Sequence, residues 1–161
     1  MMRILFVCLG NICRSPMAEG VMRHLVAEQG LSRQIEVDSA GTSNYHIGAQ
    51  PHTGTLKVLR EHGIDLQHAA RQFKPSDGER FDVLVAMDGD NLADMQQTLG
   101  KNGAKIHYLL DFIADGPRGR GVPDPWYTGD FNEVYRLIEA ACRGLLEHIQ
   151  QEHLDRPQGN R

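Results

Sequence analysis

Short apolar runs alternate with stretches whose apolar positions recur at helical spacing. Runs of strand length occur at Arg3–Cys8, Gln34–Ser39, Phe81–Met87 and Lys105–Leu110, and each is followed by a turn and usually by a helical period. That alternation predicts an α/β domain with a parallel sheet. The first helix is expected to carry Pro16 at its first position, to turn Ala18, Val21, Met22 and Leu25 inward, and to stop at Gly30. A second is predicted over His52–His62 with Gly63 behind it, and a third after Asp88, ending by Gly100. The last runs from Phe131 to His153, with Phe131, Val134, Ile138, Cys142, Leu145 and Ile149 on one face and Asp130 and Glu133 forming a capping box.

The 161 residues suit one hydrophobic core, and no repeat or linker divides them. One domain is expected over residues 1–154, with "DRPQGNR" at 155–161 as a disordered tail. The longest irregular segment is Asp111–Asp130; a loop of that length in a compact domain is more often functional than not. Its "GPRGRG" portion reads as a solvated loop.

A net charge of −4, with the cations spread along the chain, argues against a nucleic-acid partner. No apolar run approaches the roughly 18 residues of a membrane span, and no signal-peptide pattern opens the chain, so a cytoplasmic protein without a membrane partner is expected. Cys8, Cys13 and Cys142 are an odd set in a chain too large to need disulfide staples, and their spacing is poor for zinc. Reduced thiols are expected, with no metal or cofactor, and Cys142 belongs to the core.

Chemistry concentrates in "ILFVCLGNICRSPMAEG". Ligands of open α/β sheets sit at the carboxyl ends of strands, where Cys8–Ser15 leaves the first strand. Gly10 permits a positive φ and Asn11 tolerates one, so the turn can aim successive N–H groups at an anion, reinforced by the following helix N-terminus. Cys8 lies where those donors converge, which favours a thiolate nucleophile. Arg14 can grip two phosphate oxygens at once, and Ser15 can cap the helix or hydrogen-bond the sulfur. An ester leaving group then needs a proton donor. Asp124, between Pro123 and Pro125 and followed by Trp126 and Tyr127, is the best candidate, and its aromatic neighbours suggest an aryl phosphate ester.

The C-x5-R-S run with Gly10, Asn11 and Cys13, the following "PMAE" and the late "DPWY" resemble the low-molecular-weight protein tyrosine phosphatases; "DSAGTSNY", "HAARQF" and "MDGDNL" resemble further family segments. The resemblance implies a single three-layer domain, a four-stranded parallel sheet of order 2-1-3-4 flanked by helices. It implies a metal-independent phosphotyrosine phosphatase working through a phosphocysteine intermediate, with Cys8 as nucleophile, Arg14 as phosphate clamp and Asp124 as general acid, then base. The phosphate-binding loop would comprise Leu9, Gly10, Asn11, Ile12, Cys13, Arg14 and Ser15, supported by Asn11, Ser15, Ser39 and His68. Asp88 would either orient Arg14 or only cap the third helix. Ile12, Tyr45, Trp126 and Tyr127 would line the substrate cleft, and Cys13 would either pack the loop or trap oxidised Cys8 as a reversible disulfide. The implied partner is a tyrosine-phosphorylated protein, with a tyrosine kinase among the candidates, and the implied state a monomer or weak dimer.

Two enzymatic rivals share the scaffold. A protein arginine phosphatase is associated with Thr where this chain has Ile12, and a thiol-dependent arsenate reductase would carry a further cysteine pair after the third strand, where "VAMDGDNLADM" has none. An inactive phosphate-binding relative would lack Cys8, Arg14 or Asp124, and all three are present.

Overall fold

A computed structural model describes residues 1–100 and 105–154; the expected tail at 155–161 lies outside them. Strands β1 (Met2–Cys8), β2 (Ile35–Gly41), β3 (Val83–Ala86) and β4 (Ile106–Tyr108) form one parallel sheet of order β2-β1-β3-β4. The helices are α1 (Arg14–Glu28), α2 (Thr53–Glu61), α3 (Asp77–Arg80), α4 (Gly89–Leu99), α5 (Pro125–Thr128) and α6 (Phe131–Ile149).

Successive side chains of a strand point to opposite faces, which builds three layers here. Ile4, Phe6 and Cys8 of β1 face one core, shared with Met17, Val21 and Met22 of α1, Val58 and Leu59 of α2, and Ile138 and Cys142 of α6. Leu5 and Val7 face the other, with Phe73, Phe81 and Met95. The sheet is therefore covered on both sides, as a near-continuous apolar strand requires. At the carboxyl end of β1, Val7 pairs with Ala40 and Ala86, and Cys8 pairs with Gly41.

Several expected boundaries move. The first helix opens at Arg14, so Pro16 is its third residue; its missing N–H is still one of those in the first turn without an intrahelical acceptor. The second strand extends to Gly41 because β1 continues to pair with it up to Cys8. The third shortens to Val83–Ala86, since Phe81 closes α3. The fourth ends at Tyr108, and the buried Leu109 and Leu110 instead enter a 3₁₀ turn at Leu109–Phe112.

α6 is regular to Ile149 and continues as a π-helical turn over Gln150–Leu154. Only half of its capping box forms: Asp130 Oδ1 accepts from Glu133 N at 3.0 Å, while Asp130 N donates to Thr128 Oγ1 and Glu133 pairs with Arg136. No described helix is long and apolar enough to cross a membrane.

Candidate active site

The turn from β1 into α1 wraps around the Cys8 sulfur. Asn11 N donates to Cys8 Sγ at 3.3 Å, and Ser15 Oγ lies 3.0 Å from the same atom. The turn reaches this shape by holding Asn11 in the left-handed region, φ 57°. Its side chain makes that conformation self-consistent. Nδ2 donates to Ser15 Oγ (2.8 Å) and Ser39 Oγ (3.0 Å), and Oδ1 accepts from His68 Nε2 (2.8 Å) and Arg71 N (2.9 Å), so both donors and both acceptor lone pairs are used. β2 passes close enough that a Cβ on Gly41 would sit 2.7 Å from Leu9 O, a contact no other residue could accept without backbone movement.

Beneath this network lies Glu19, a residue with no anticipated role. Its side chain is fully buried on α1, accepting from Ser39 Oγ at 2.7 Å and lying 3.1 Å from His68 Nδ1. Burial pushes the Glu19 carboxyl up to about 7, aided by Asp38 and opposed by the Ser39 hydrogen bond, Arg23 and Arg71. Burial likewise lowers His68, with Arg23 and Arg71 adding to the effect and Asp38 opposing it. Glu19, Asp38 and His68 bring ligand-type atoms within 4.8 Å of one another. Positive charge is already supplied there by Arg23, 2.6 Å from Glu19 Oε2, and by Arg71, 3.2 Å from Asp38 Oδ2, which leaves a cation little electrostatic attraction.

Arg14 is 2 % exposed. Its Nη1 donates to Asp88 Oδ2 at 2.7 Å and to Val122 O at 2.9 Å, and its Nη2 faces Asp124 Oδ2 at 3.5 Å. Burial works against the guanidinium charge, but Cys8, Asp88 and Asp124 outweigh it and raise the pKa. Asp88 uses its two oxygens separately: Oδ1 accepts from Asn91 N at 2.8 Å at the N-terminus of α4, while Oδ2 accepts from Arg14 Nη1.

Asp124 is the N-cap of α5, with Oδ1 accepting from Trp126 N at 3.1 Å. The segment expected to be irregular thus contains a short helix, opened by Pro125 and stopped by Gly129 at φ 74°. Its earlier part folds onto itself, with Arg118 donating to Asp111 O and Gly119 N to Asp111 Oδ1 at 2.7 Å, as suits a solvated loop.

Cys8, Arg14 and Asp124 share one cavity of about 190 Å³. Ile12, Tyr45, Trp126 and Tyr127 also line it, the three aromatic residues exposed at its mouth. Ser39, His68 and Asp88 stand behind the loop. Cys13 is buried beside Cys8, its thiol pushed up to about 12 by burial, then by the Cys8 and Asp124 charges, with Arg14 opposing. His46 completes the rim and went unanticipated; its only sequence signal is its place directly after Tyr45.

A sequence profile described as low molecular weight phosphotyrosine protein phosphatase matches residues 3–155. The low molecular weight protein-tyrosine-phosphatase YfkJ of Bacillus subtilis is 47% identical over 154 residues, 94% of this chain and 98% of that protein. The YfkJ crystal structure superposes with a TM-score of 0.91 over 95% of this chain and 97% of that one. The human low molecular weight phosphotyrosine protein phosphatase is 41% identical over 149 residues, 89% of this chain and 93% of its own. A crystal structure of DARP, a Drosophila arginine phosphatase, is 34% identical with a TM-score of 0.82, covering 94% of this chain and 99% of that one.

Proposed function

The chain belongs to the low molecular weight phosphotyrosine protein phosphatase family and is a protein-tyrosine-phosphatase, and we propose that it hydrolyses phosphotyrosine in proteins through a phosphocysteine intermediate without a metal. The observation that carries this reading is the convergence on one sulfur: Asn11 N and Ser15 Oγ at 3.3 and 3.0 Å, with the buried Arg14 and Asp124 in the same cavity.

Cys8 Sγ attacks phosphorus in line, forming the S–P bond as the P–O bond to the tyrosyl oxygen breaks. Asp124 gives its proton to that oxygen. Arg14 and the loop amides hold the three equatorial oxygens, supplying charge stabilisation in a site that needs no reorganisation at the moment of reaction. Asp124, now a carboxylate, takes a proton from water that attacks phosphorus, and Cys8 leaves as thiolate with Ser15 Oγ beside it. Asp88 holds the guanidinium, and Asn11, Ser39 and His68 hold the loop. Oxidation of Cys8 to a sulfenic acid would be trapped by Cys13 from the same cavity, with loss of water. Free thiols at all three cysteines are in keeping with a reducing, cytoplasmic compartment.

Ile12 at the cleft favours a flat aryl ester over phosphoarginine. Phosphate release from a phosphotyrosyl peptide in EDTA, wild type against Cys8→Ser, tests the reading. Turnover by wild type alone supports it. Equal turnover by Cys8→Ser rules out the covalent route, and turnover of phosphoarginine with none of phosphotyrosine transfers the substrate to the arginine class.

A further inference from the structure

Trp126, the chain's single tryptophan, follows Asp124 by two positions and is flanked by two imidazoles. The His46 ring lies 5.8 Å from it at 48°, and the His52 ring 5.9 Å away, edge-on at 81°. His52 also stacks on Phe131 at 4.9 Å and 25°. Phe131 opens α6, so His52 touches the acid-bearing segment twice: within α5 at Trp126, and just beyond it where the chain enters α6.

The same residue is tied to the phosphate loop. His52 N donates to Ile12 O at 2.8 Å, and three residues later Thr55 Oγ1 donates to Cys13 O at 3.0 Å. His52 Nδ1 accepts from Gly54 N at 2.9 Å, capping α2 and leaving the ring proton on Nε2. The ring cannot readily slide, because α2 is pressed against its aromatic neighbour: a Cβ on Gly54 would lie 2.6 Å from the Phe131 ring.

Capping alone requires neither ring contact; Asp, Asn or Ser would cap α2 as well. An edge-to-face contact with indole, by contrast, has a preferred geometry and fixes a ring in place. We propose that His52 is a positioning residue that seats the Asp124 segment on the phosphate loop through Trp126 and Phe131, setting the acid's distance from the leaving oxygen. This rests on the reading of Asp124 as general acid. Displacements of about 1 Å can cost on the order of 100-fold in rate, so a contact two positions from the acid has leverage.

The test compares His52→Asn and His52→Ser, which keep a capping acceptor and delete the ring, with His52→Phe, which keeps a ring and deletes the acceptor. kcat/KM is measured across aryl phosphates of rising leaving-group pKa. The two capping variants should steepen the dependence, falling about tenfold for phenyl phosphate and less than about twofold for 4-nitrophenyl phosphate, since an aryloxide of low pKa needs little proton donation. Inhibition by inorganic phosphate should stay within about twofold, because it reports the loop rather than the acid. Trp126 emission should change in the capping variants, and His52→Phe should keep the wild-type slope. Asp124→Ala is run in parallel. If it steepens the dependence while His52→Asn and His52→Ser keep the wild-type slope, His52 is only a helix cap and the proposal is overturned. If Asp124→Ala itself leaves the slope unchanged, the assignment of the acid fails instead.

Discussion

Asp88 holds Arg14 with one carboxylate oxygen, at 2.7 Å, and the first turn of α4 with the other, at 2.8 Å. The clamp on the guanidinium is thereby referenced to a helix anchored on the sheet rather than to the loop it crosses. Space for this is made by Gly121, whose Cβ would approach Asp88 Cβ to 2.8 Å.

The two functions of Asp88 should separate by substitution. Asp88→Asn can still accept from Asn91 N, so stability should change little, while the loss of charge beside Arg14 lowers kcat/KM by about tenfold. Asp88→Ala loses the cap as well and should cost about 1 kcal/mol more in stability. Steady-state kinetics together with urea denaturation of both variants measure the separation; equal stability loss in Asn and Ala would contradict the capping role.

Cys8→Ser should bind a phosphotyrosyl peptide without turning it over, because the loop and Arg14 remain while the nucleophile is gone. Asp124→Ala should lower kcat/KM by about 100-fold or more for phenyl phosphate and far less for activated esters. Calorimetric binding and a leaving-group series read these out. Residual turnover by Cys8→Ser would sink the covalent mechanism.

Glu19 makes stability depend on pH with a definite sign. Its folded pKa, about 7, stands above the ordinary 4.5, so between those values the folded state binds more protons than the unfolded one. Stability from this group is complete below about 4.5 and is lost as pH rises toward 7, by about 3 kcal/mol at most. His68, lowered by burial, acts in the opposite direction. Glu19→Gln removes the ionisation, so its stability relative to wild type should rise between pH 5 and pH 8. Thermal melts at the two pH values decide it; a difference that is flat or falls with pH would mean that Glu19 is ionised throughout.

Peroxide should inactivate wild type reversibly. Under the proposed trapping role, the Cys13 thiol, which burial holds in its neutral form, would condense with Cys8 once that has become a sulfenic acid. After peroxide and then dithiothreitol, wild type should recover most of its own starting activity and Cys13→Ser much less of its own. Equal recovery would leave Cys13 as packing alone.

What could be seen in the sequence divides along physical lines. β1 was legible because a strand buried on both faces has to be apolar throughout, and the turn after it because Gly10, Asn11 and Arg14 carry conformational and chemical demands at fixed spacing. α3 and α5 were not, since four residues are too few to display a period. Glu19 was hidden for a different reason. A carboxylate among α1's first turns, with Arg23 four residues on, reads as a solvated ion pair, and the approach of Ser39 and His68 from distant segments, which helps make its burial tolerable, leaves no local signal. His52 reads as a helix boundary, and nothing local announces that Trp126 and Phe131 close upon it. Asp88 left two readings open because a residue can satisfy both with its two oxygens.

Tyr45 and Tyr127 are 73 % and 79 % exposed, whereas Asn11, Ser15 and Ser39 have almost no surface at all. Replacing a rim residue disturbs few packing contacts, and replacing a floor residue breaks a closed set of hydrogen bonds. New substrate preferences are thus open to single substitutions that leave folding and bond cleavage intact, while the chemistry itself admits change only when several buried partners change together. The molecule can diversify what it recognises on a far shorter mutational path than what it does.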